Sequence, residues 1–544
     1  MRPVPKPIVL LILDGWGIAP PSPGNAIALA NTPNVDRYWN SYPHTKLEAS
    51  GEAVGLPHAE EGNTETGHLN IGAGHIVYQD LPRINMAIAD GSFFENQAFI
   101  AATTHVQNFQ STLHLMGLIG AGGVHSNLDH LYALLHLCRL HKLENVALHL
   151  FTDGRDSPPT STLTYLSQIK EKMKSTGIGF IASMMGRFYA MDRDQRWERT
   201  QKVYLALTTG EGHKAQVEED AINEAYNSGK TDEFIEPTVI THENGVPKAI
   251  IQENDAVIFF NFRIDRPRQL TKAFVLPNFE AAAERRPGFD PYTVKYYRRH
   301  VAYPQLQSKP FTRGDRIKNL FFVTMTEYEK GLPVSVAFPP QPVEMPFGRI
   351  IAERALRQLR ISETEKERFV TYYFNGLRDD PYPGEDRIII PSQKVATYDL
   401  YPQMSALDIT ETILERIATG IYHVIIANYA NPDMVAHSGN LKATITACEV
   451  VDQCVGQVAE KAMAVGGATI VTSDHGNAEE LLNPETGEVS TEHSTFPVPF
   501  ILTVRSQQGK ATMLRTGVLA DIAPTMLQLL QIPKPPSMTG RSLI

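Results

Sequence analysis

The sequence predicts an α/β protein built on a mostly parallel sheet that is flanked by helices. Two observations predict this class: short apolar runs stop abruptly at polar residues, and longer segments of helical periodicity separate them. Runs of four to eight apolar residues are typical of strands buried on both faces, as in parallel sheets. In chain order the runs are IVLLILDGWG from Ile8, VALHLFTDGRD from Val146, GFIASMMGR from Gly179, AVIFFNFR from Ala256, HVIIANYANPD from His423 and ATIVTSDHGN from Ala468.

Helical periodicity is clearest in LYALLHLCRLHKL from Leu131 and in TITACEVVDQCVGQVAEKAMAV from Thr444. Such helices alternate with the apolar runs, which is the pattern of strand and crossover helix. Ligands of these sheets gather beyond the carboxyl ends of the strands. The polar residues at the strand ends are therefore the candidate site.

The length of the chain and its proline-rich, aperiodic segments indicate how it divides into domains. At 544 residues it is too long for one core, so we expect two to four domains or one large domain carrying an insertion. The proline-rich VSVAFPPQPVEMP from Val334 predicts a linker, and residues 277–315, which mix Pro, Arg and Tyr without periodicity, predict an inserted surface segment. Basic residues and tyrosines in that segment could contact RNA, but the acidic chain favours a solvated insertion.

Composition excludes some classes of protein. Hydrophobic residues make up 42% of the chain and charged residues 20%, which is ordinary for a globular protein. The net charge of −10 argues against a general binder of nucleic acid or of membrane surfaces, because such proteins present basic surfaces to phosphates. An anionic substrate would need a local basic cluster.

The sequence also predicts a cytoplasmic protein without a membrane partner. No apolar run approaches the roughly 20 residues that cross a bilayer. A signal peptide is the alternative for the basic, then apolar, start of the chain, but that stretch runs into Asp14 and Gly15 without a small-residue cleavage site. Cys138, Cys448 and Cys454 lack a CxxC spacing and predict buried thiols of a reducing compartment.

Three strand ends carry carboxylates and imidazoles. Asp14 follows IVLLIL, the pair Asp474 and His475 follows ATIVTS, and Asp433 precedes His437 by four residues in PDMVAH. If DMVAH opens a helix, the side chains of Asp433 and His437 lie on one face of it and can bind the same cation. Taken singly, each has an ordinary explanation, as a turn or cap aspartate or as a solvated helix pair.

Another imidazole, His493, precedes the strand-like PVPFIL. Together these residues favour a metal site, because the fold places strand ends side by side. Mixed carboxylate and imidazole ligands suit Mn²⁺, Zn²⁺ or Fe, and the lack of thiolates argues against a structural zinc site. Two divalent cations against Asp14, Asp433 and Asp474 leave surplus positive charge for an alkoxide and a phosphoryl group, which indicates in-line phosphoryl transfer.

The segment GNTETGHLNIGAG places Thr64 in a Gly-flanked turn that opens into a predicted helix. A coordinated cation lowers the pKa of an alcohol, and amides at a helix start hold a phosphate opposite it. Thr64 is therefore the candidate nucleophile. The alternative is that Thr64 only caps the helix, with Glu65 or Thr66 assisting, and this window does not decide between them.

Long motifs cover nearly the whole chain in a fixed order: LDGWG, GNAI, TPN, GNTETGHLNIGAG with VYQDL, GGVHS, TDGRDSPP, GRFYAMDRD, FFNFRIDR, MTEY, ETEK, YYFNGL, PGEDRIIIPS, VATYDL, NPDMVAHSGN and SDHGNAEE. In these motifs the sequence resembles the cofactor-independent (2,3-bisphosphoglycerate-independent) phosphoglycerate mutases of the alkaline phosphatase superfamily. The resemblance implies an alkaline-phosphatase-like domain formed by residues 1–78 and 339–544. It also implies that a phosphotransferase (substrate) domain, residues 79–338, is inserted into it.

Site residues follow from the same resemblance. One metal site takes Asp433, His437 and His493, and the other takes Asp14, Asp474, His475 and the nucleophile Thr64. The implied substrate-binding residues are His125, Arg155, Asp156, Arg187, Arg193, Arg263, Arg266 and Lys366. Five of these eight are arginines, which bind carboxylate and phosphate bidentately, although any single arginine also fits a surface ion pair.

The sequence departs from the family pattern at three places. Thr64 stands where the family has a serine, and its extra methyl group restricts χ1. The stretch HAEE from His58 replaces a GQM-like stretch and adds acidic charge near the expected phosphate path. Residues 277–315 form a longer segment than the family counterpart.

The resemblance implies an isomerase of glycolysis and gluconeogenesis that interconverts 3-phosphoglycerate and 2-phosphoglycerate through a phosphorylated Thr64. Asp156 is the candidate general acid or base, and Lys366 helps to neutralise the transferring group. The expected cofactors are two divalent cations, Mn²⁺ first with Zn²⁺ or Co²⁺ as alternatives, and no 2,3-bisphosphoglycerate. We also expect a monomer whose two domains close to exclude water.

Two alternatives stay open. A metal-dependent phosphomonoesterase or phosphodiesterase would use the same ligands and pass the phosphoryl group to water, which the threonine and the acidic substitutions motivate. A non-catalytic relative would bind metal without phosphoryl exchange.

Overall fold

The computed structural model describes residues 4–283, 309–483 and 486–544. The chain divides into two compact units, Met1–Pro82 with Gln341–Ile544 (unit 1) and Arg83–Pro340 (unit 2). The domain boundaries expected from the sequence, 78/79 and 338/339, lie a few residues before these divisions.

Unit 1 begins with a strand whose six residues are all buried. The elements of its first segment are β1 (Ile8–Leu13), α1 (Ala26–Leu29), α2 (Pro33–Ser41), β2 (His44–Glu48), α3 (Thr64–Ala73) and α4 (Asp80–Asp90), which runs on into unit 2. Alternate side chains of β1 join two different apolar cores, Val9 and Leu11 on one face and Ile8 and Leu10 on the other. An apolar run without polar alternation is what a strand covered on both faces requires.

Unit 2 alternates strands and helices over most of its length. Its elements are α5 (Gln97–Phe109), β3 (Leu113–Ile119), α6 (Leu128–Leu140), β4 (Val146–Thr152), α7 (Thr162–Thr176), β5 (Phe180–Gly186), α8 (Arg187–Ala190), α9 (Trp197–Thr208), β6 (His213–Ala215), α10 (Glu218–Asn227), β7 (Thr238–Ile240), β8 (Ala256–Phe259), α11 (Pro267–Val275), α12 (Phe279–Ala283), β9 (Phe321–Thr326) and β10 (Ser335–Phe338).

The second segment of unit 1 completes its sheet. Its elements are α13 (Phe347–Glu353), β11 (Gln358–Glu363), β12 (Glu385–Ile390), α14 (Ala406–Thr419), β13 (Val424–Tyr429), α15 (Asn431–Ala436), α16 (Leu441–Ala464), β14 (Ala468–Thr472), β15 (Val498–Val504), β16 (Gly517–Val518) and α17 (Ile522–Leu529). A 3₁₀ turn, Thr364–Lys366, follows β11, and a π-helical turn, Phe369–Tyr373, comes soon after it.

The sheet of unit 1 has the strand order β12-β11-β13-β1-β14-β15-β2-β16. Neighbours pair in parallel except that β15 is antiparallel to both β14 and β2. Helices α2, α14 and α16 contribute to the core on one face, and α3, α13 and α17 contribute to the core on the other. The carboxyl ends of β11, β13, β1 and β14 therefore lie next to one another at one edge of a doubly covered sheet.

The sheet of unit 2 has the order β10-β9-β8-β3-β4-β5-β7-β6. Its strands pair in parallel except where β7 meets β5. Met116, Phe151 and Phe259 of this sheet pack in one core with side chains of α9 and α11. Here the carboxyl ends of β8, β3, β4 and β5 are the neighbours.

The structure confirms the predicted fold class, two mostly parallel sheets flanked by helices, and all six apolar runs are strands, namely β1, β4, β5, β8, β13 and β14. The two predicted helices are α6 and α16, and each starts three residues early because an asparagine caps it. Asn127 Oδ1 accepts the amide of Asp129, and Asn440 Oδ1 accepts that of Ala443.

One predicted linker is partly wrong. The first residues of VSVAFPPQPVEMP form β10, which pairs in parallel with β9, and the prolines after Phe338 end the strand. The division between the units follows at Pro340. Most of the predicted surface segment, residues 284–308 of 277–315, lies outside the described residues.

The three cysteines, Cys138, Cys448 and Cys454, are buried and unpaired, as predicted. Among the described helices, none is both long and apolar enough to span a bilayer.

Candidate active site

Four neighbouring strands of unit 1 end in polar side chains. Asp14 follows β1, Asp433 lies in α15 just after β13, Asp474 and His475 follow β14, and Lys366 closes the turn after β11. The two aspartates Asp14 and Asp474 and the imidazole of His475 are fully buried. Polar groups with no access to water need partners, and here they find them in one another.

Helix α3 brings Thr64 to this edge. Asn63 is the residue that caps the helix, because its side-chain oxygen accepts the backbone N–H of Thr66 at 3.0 Å. The interpretation of Thr64 as the cap is therefore wrong. Its hydroxyl instead lies 3.3 Å from Asp14 Oδ1 and 3.0 Å from His475 Nε2.

Gly67 explains how the helix approaches so closely. A β-carbon at that position would lie 2.5 Å from the backbone oxygen of Asp474 and 2.6 Å from its β-carbon. Only glycine leaves room for α3 to pack against the strand end, so this position fixes how near Thr64 comes to the carboxylates.

Lys366 lies between two of the carboxylates. Its Nζ is 2.7 Å from Asp14 Oδ1, 2.7 Å from Asp433 Oδ2 and 3.1 Å from the Thr64 hydroxyl. Burial alone would lower the pKa of Lys366, but Asp14, Asp433 and Asp474 outweigh it and raise that pKa. The lysine therefore stays charged beside the hydroxyl.

The imidazoles share one orientation. His437 Nδ1 donates to the Thr491 carbonyl at 2.8 Å, and His493 Nδ1 donates to that of Gly62 at 2.8 Å. In the neutral rings Nε2 therefore carries the lone pair, and the two Nε2 atoms lie 3.2 and 3.4 Å from Asp433 Oδ1 and 3.2 Å from each other. Although burial opposes it, Asp433 raises the pKa of His437, so either a proton or a metal cation can occupy the space between these groups.

Two groups of three residues bring ligand atoms within 4.8 Å of one another: Asp433 with His475 and His493, and Asp14 with His68 and Asp474. His475 Nε2 stands at the junction, 3.4 Å from Asp14 Oδ1, 3.7 Å from Asp474 Oδ2 and 3.9 Å from Asp433 Oδ1. The structure thus brings together all seven metal-ligand candidates that the sequence named, although it groups His475 with Asp433 and His493, and it places His68 beside Asp14 and Asp474.

One buried oxygen tests whether cations fit. Asp474 Oδ2 lies 3.1 Å from His68 Nδ1, but the N–H of that nitrogen points to the Thr64 carbonyl at 2.9 Å, so no well-aligned hydrogen bond within the described part of the chain meets the oxygen. An unpaired carboxylate oxygen at this depth is costly unless a cation meets it. The three buried carboxylates also carry more negative charge than the one lysine beside them can neutralise. The residues therefore fit divalent cations.

A basic cluster follows the corresponding strand ends of unit 2. His125 lies after β3, Arg155 and Asp156 after β4, Arg187 and Arg193 after β5, and Arg263 and Arg266 after β8. The structure places these seven substrate-binding candidates at adjacent ends of one sheet, whereas Lys366 belongs to unit 1.

Acidic residues hold this cluster in place. Arg187 is nearly fully buried and bonds Asp153 and Asp156 through Nη1. Asp265, which the sequence reasoning missed, accepts from Arg193 at 2.6 Å and lies 3.6 Å from Arg263 Nε.

His125 lies between the two carboxylates, with Nε2 3.7 Å from Asp156 Oδ2 and Nδ1 3.7 Å from Asp265 Oδ1. Burial, despite Asp265, lowers the pKa of His125 to about 3, so the ring is neutral at pH 7. Burial and the neighbouring Arg187 and Arg193 lower the pKa of Arg266 to about 10. This cluster therefore carries surplus positive charge, which favours the binding of an anion.

Comparison with known proteins decides the family. The chain is 50% identical over 543 residues to the 2,3-bisphosphoglycerate-independent phosphoglycerate mutase of Chloroflexus aggregans and 49% identical over 541 residues to that of Moorella thermoacetica, with 99% of each chain covered. It belongs to that family. Residues 84–330 also match the family model described as the BPG-independent PGAM N-terminus.

A solved structure agrees with this membership. The structure of Leishmania mexicana phosphoglycerate mutase at low cobalt concentration matches with a TM-score of 0.58 and 28% identity, over 99% of this chain and 97% of that one. The resemblance drawn from the motifs is therefore confirmed for the mutase family.

Sequence reasoning missed the neighbours that orient the mutase ligands. Asn428 donates to Asp14 Oδ2 at 2.7 Å and to His68 Nε2 at 3.2 Å. His68 therefore has both ring nitrogens occupied and holds Thr64 rather than a cation. A signal was present: His68 is four residues after Thr64, on the same helix face.

Proposed function

We propose that this chain interconverts 3-phosphoglycerate and 2-phosphoglycerate by passing the phosphoryl group to the Thr64 hydroxyl and back. The observation that carries the proposal is the position of that hydroxyl, which is buried and within 3.3 Å of Asp14, His475 and Lys366. A threonine that only stabilised a helix would not converge with three charged or titratable side chains from three different strand ends.

The first metal site of the proposal is Asp433, His437 and His493, and the second is Asp14, Asp474, His475 and Thr64. Two divalent cations bound there would polarise the phosphoryl oxygens and lower the pKa of the alcohol. We take Mn²⁺ as the first choice, with Zn²⁺ or Co²⁺ as alternatives, because these ligand types do not separate the three.

The chain's own residues supply the rest of the chemistry. Thr64, ionised beforehand by loss of its proton to solvent, attacks phosphorus through Oγ1, the bond from phosphorus to the substrate oxygen breaks, and Lys366 stabilises the negative charge that builds up on the phosphoryl oxygens. The other hydroxyl of glycerate then attacks the phosphothreonine and restores Thr64. No water enters the balance, which is what separates a mutase from a phosphatase.

Unit 2 is the proposed substrate-binding (phosphotransferase) domain. Its five candidate arginines would bind the carboxylate and phosphate of phosphoglycerate, with His125 as a neutral donor. Although burial opposes it, Arg187 lowers the pKa of Asp156, so this carboxylate is ionised at neutral pH and would act first as a base. It would take the proton of the second glycerate hydroxyl and give it to the glycerate oxygen that leaves phosphorus, so that the second oxygen can attack the phosphothreonine.

The remaining parts of the proposal concern the cell. We place the protein in the cytoplasm, as a monomer of glycolysis and gluconeogenesis that needs no 2,3-bisphosphoglycerate. The family's name supports the last point.

Thr64→Val tests the proposal more sharply than Thr64→Ala, because valine keeps the shape and removes only the hydroxyl. With Mn²⁺ and 3-phosphoglycerate, ³¹P NMR should show 2-phosphoglycerate from the wild type and none from the variant, while the variant still binds Mn²⁺ at Asp433, His437 and His493. Free phosphate without 2-phosphoglycerate would instead identify a phosphatase. Full activity in Thr64→Val would remove Thr64 from the mechanism.

A further inference from the structure

We propose that Glu479 is a positioning residue of the metal centre, and that its buried carboxylate ties together the three loops that carry the ligands Asp14, His475 and His493. This inference rests on the metal sites of the proposed function and deepens them. Glu479 belongs to the SDHGNAEE segment, to which the reaction as described assigns only Asp474 and His475.

Three donors from three separate loops converge on this carboxylate, which is 1% exposed. The backbone N–H groups of Gly17 and Asn477 both donate to Oε2 at 2.9 Å. The hydroxyl of Ser494 donates to Oε1. Because all three donors bond one buried carboxyl group, the three loops are held at one point.

Each donor stands next to a metal ligand along the chain. Gly17 is three residues after Asp14, Asn477 is two after His475, and Ser494 directly follows His493. The Asn477 side chain also donates to Asp433 Oδ1 at 2.9 Å. A shift of the Glu479 carboxylate would therefore be passed on to ligands of both proposed cation sites.

The space around the carboxylate is filled by backbone. A β-carbon at Gly17 would lie 2.2 Å from both Cδ and Oε1 of Glu479, and one at Gly476 would lie 2.2 Å from Oε1. Neither glycine has a positive φ, so glycine is required here for room rather than for backbone conformation. The missing side chains of Gly17 and Gly476 therefore leave the space that the Glu479 carboxylate occupies.

The simpler reading, that Glu479 is itself a ligand, does not fit the geometry. Its two oxygens already accept three hydrogen bonds, and it belongs to neither group of converging ligand atoms. A carboxylate that orients others, and does not bind the cation, is the familiar outer partner of a metal site.

Glu479→Ala, Glu479→Gln and the control Glu480→Ala test the proposal with Mn²⁺ alone, titrated into the metal-free full-length protein and followed by EPR. Loss of an outer partner lowers metal affinity by about 10–100-fold, and we expect this of the alanine variant. Glutamine should restore binding, because its oxygen can face the two backbone donors while its NH₂ group donates to Ser494. The side chain of Glu480 accepts no hydrogen bond within the described residues. The control Glu480→Ala should therefore bind Mn²⁺ as tightly as the wild type.

A second variant separates positioning from mere folding. Gly17→Ala should weaken Mn²⁺ binding on its own, because the methyl group displaces the carboxylate. In Gly17→Ala/Glu479→Ala that methyl group has room, so the double variant should bind no worse than Glu479→Ala. If Glu479→Ala does not fold, Glu479→Gln and Gly17→Ala still decide the matter.

Unchanged Mn²⁺ affinity in Glu479→Ala, equal loss in the alanine and glutamine variants, or additive loss in the double variant would each overturn the proposal. Because Mn²⁺ binding is measured without substrate, a wild type that binds Mn²⁺ but lacks mutase activity would count against the proposed function only.

Discussion

The Nζ atom of Lys366 lies 3.1 Å from Oγ1 of Thr64, and it reaches that position while also bonding Asp14 and Asp433. One ammonium group therefore faces both the proposed nucleophile and the carboxylates around it. The lysine lies after β11 and the threonine at the start of α3, so only the folded sheet edge brings them together.

Lys366→Met should lower kcat by about 10²–10³-fold, the range for loss of one preorganised donor to a charged transition state. Mn²⁺ should bind at least as tightly as in the wild type, because a positive charge has left the neighbourhood of the ligands. Steady-state kinetics measure the fall in kcat, and Mn²⁺ titration measures the metal affinity. Substitution of an exposed lysine, Lys318→Met, is the control for both. Weaker Mn²⁺ binding in Lys366→Met would contradict the assignment.

Thr64→Ser restores the family's residue at the nucleophile position. The hydroxyl remains, so mutase activity should persist, and release of χ1 should leave kcat equal to or above that of the wild type. Because a buried methyl group is lost, the free energy of unfolding should fall by about 1 kcal/mol. Kinetics and urea unfolding measure the two effects. An inactive serine variant would show that the methyl group is needed to orient the hydroxyl.

The fold could be predicted because buried parallel strands have a strong local signal. All six apolar runs are strands, since a strand that helices cover on both sides consists mainly of apolar residues. Strand direction has no such signal: β15 reads like the others but runs antiparallel to β14 and β2. Direction depends on the path of the long connection before Val498, which periodicity does not record.

The site could be predicted in part for a similar reason. Strand-end residues such as Asp14 and Asp474 can be named from the sequence, because parallel strands expose their carboxyl ends at one edge. Glu479 could not, since its donor Gly17 is 462 residues away and neither lies in a local pattern of known chemistry. The roles of all these residues in catalysis stay predictions until they are measured.

Metal should stabilise unit 1, because the apo protein buries Asp14, Asp433 and Asp474 against one lysine. A cation at 100 times its Kd adds about 2.7 kcal/mol to the free energy of unfolding. Calorimetry with Mn²⁺ and then with EDTA should therefore show a higher Tm in Mn²⁺. Asp474→Asn should lose the part of that difference that comes from the second metal site, and the exposed Asp408→Asn should keep all of it. Equal Tm values in Mn²⁺ and EDTA would argue against cation binding at this edge.

His130 in α6 should make the stability of unit 2 depend on pH, independently of the metal centre. Its ring is fully buried and its Nε2 lies 2.9 Å from the side-chain oxygen of Asn85. Burial lowers the pKa of His130 to about 3, whereas in the unfolded chain it is about 6.5. The unfolded state therefore binds the proton first as the pH falls below 6.5, and the folded state loses stability from there down to pH 3.

At pH 5 this difference should remove about 2 kcal/mol of stability relative to pH 7.5. His130→Gln does not titrate and can still donate to Asn85, so its unfolding free energy should fall less over the same range. Urea unfolding of both proteins at several pH values, in EDTA so that metal binding does not contribute, isolates the histidine. Parallel curves for the two proteins would mean that His130 accepts its proton in the folded state as easily as in the unfolded one, and that burial does not hold it neutral.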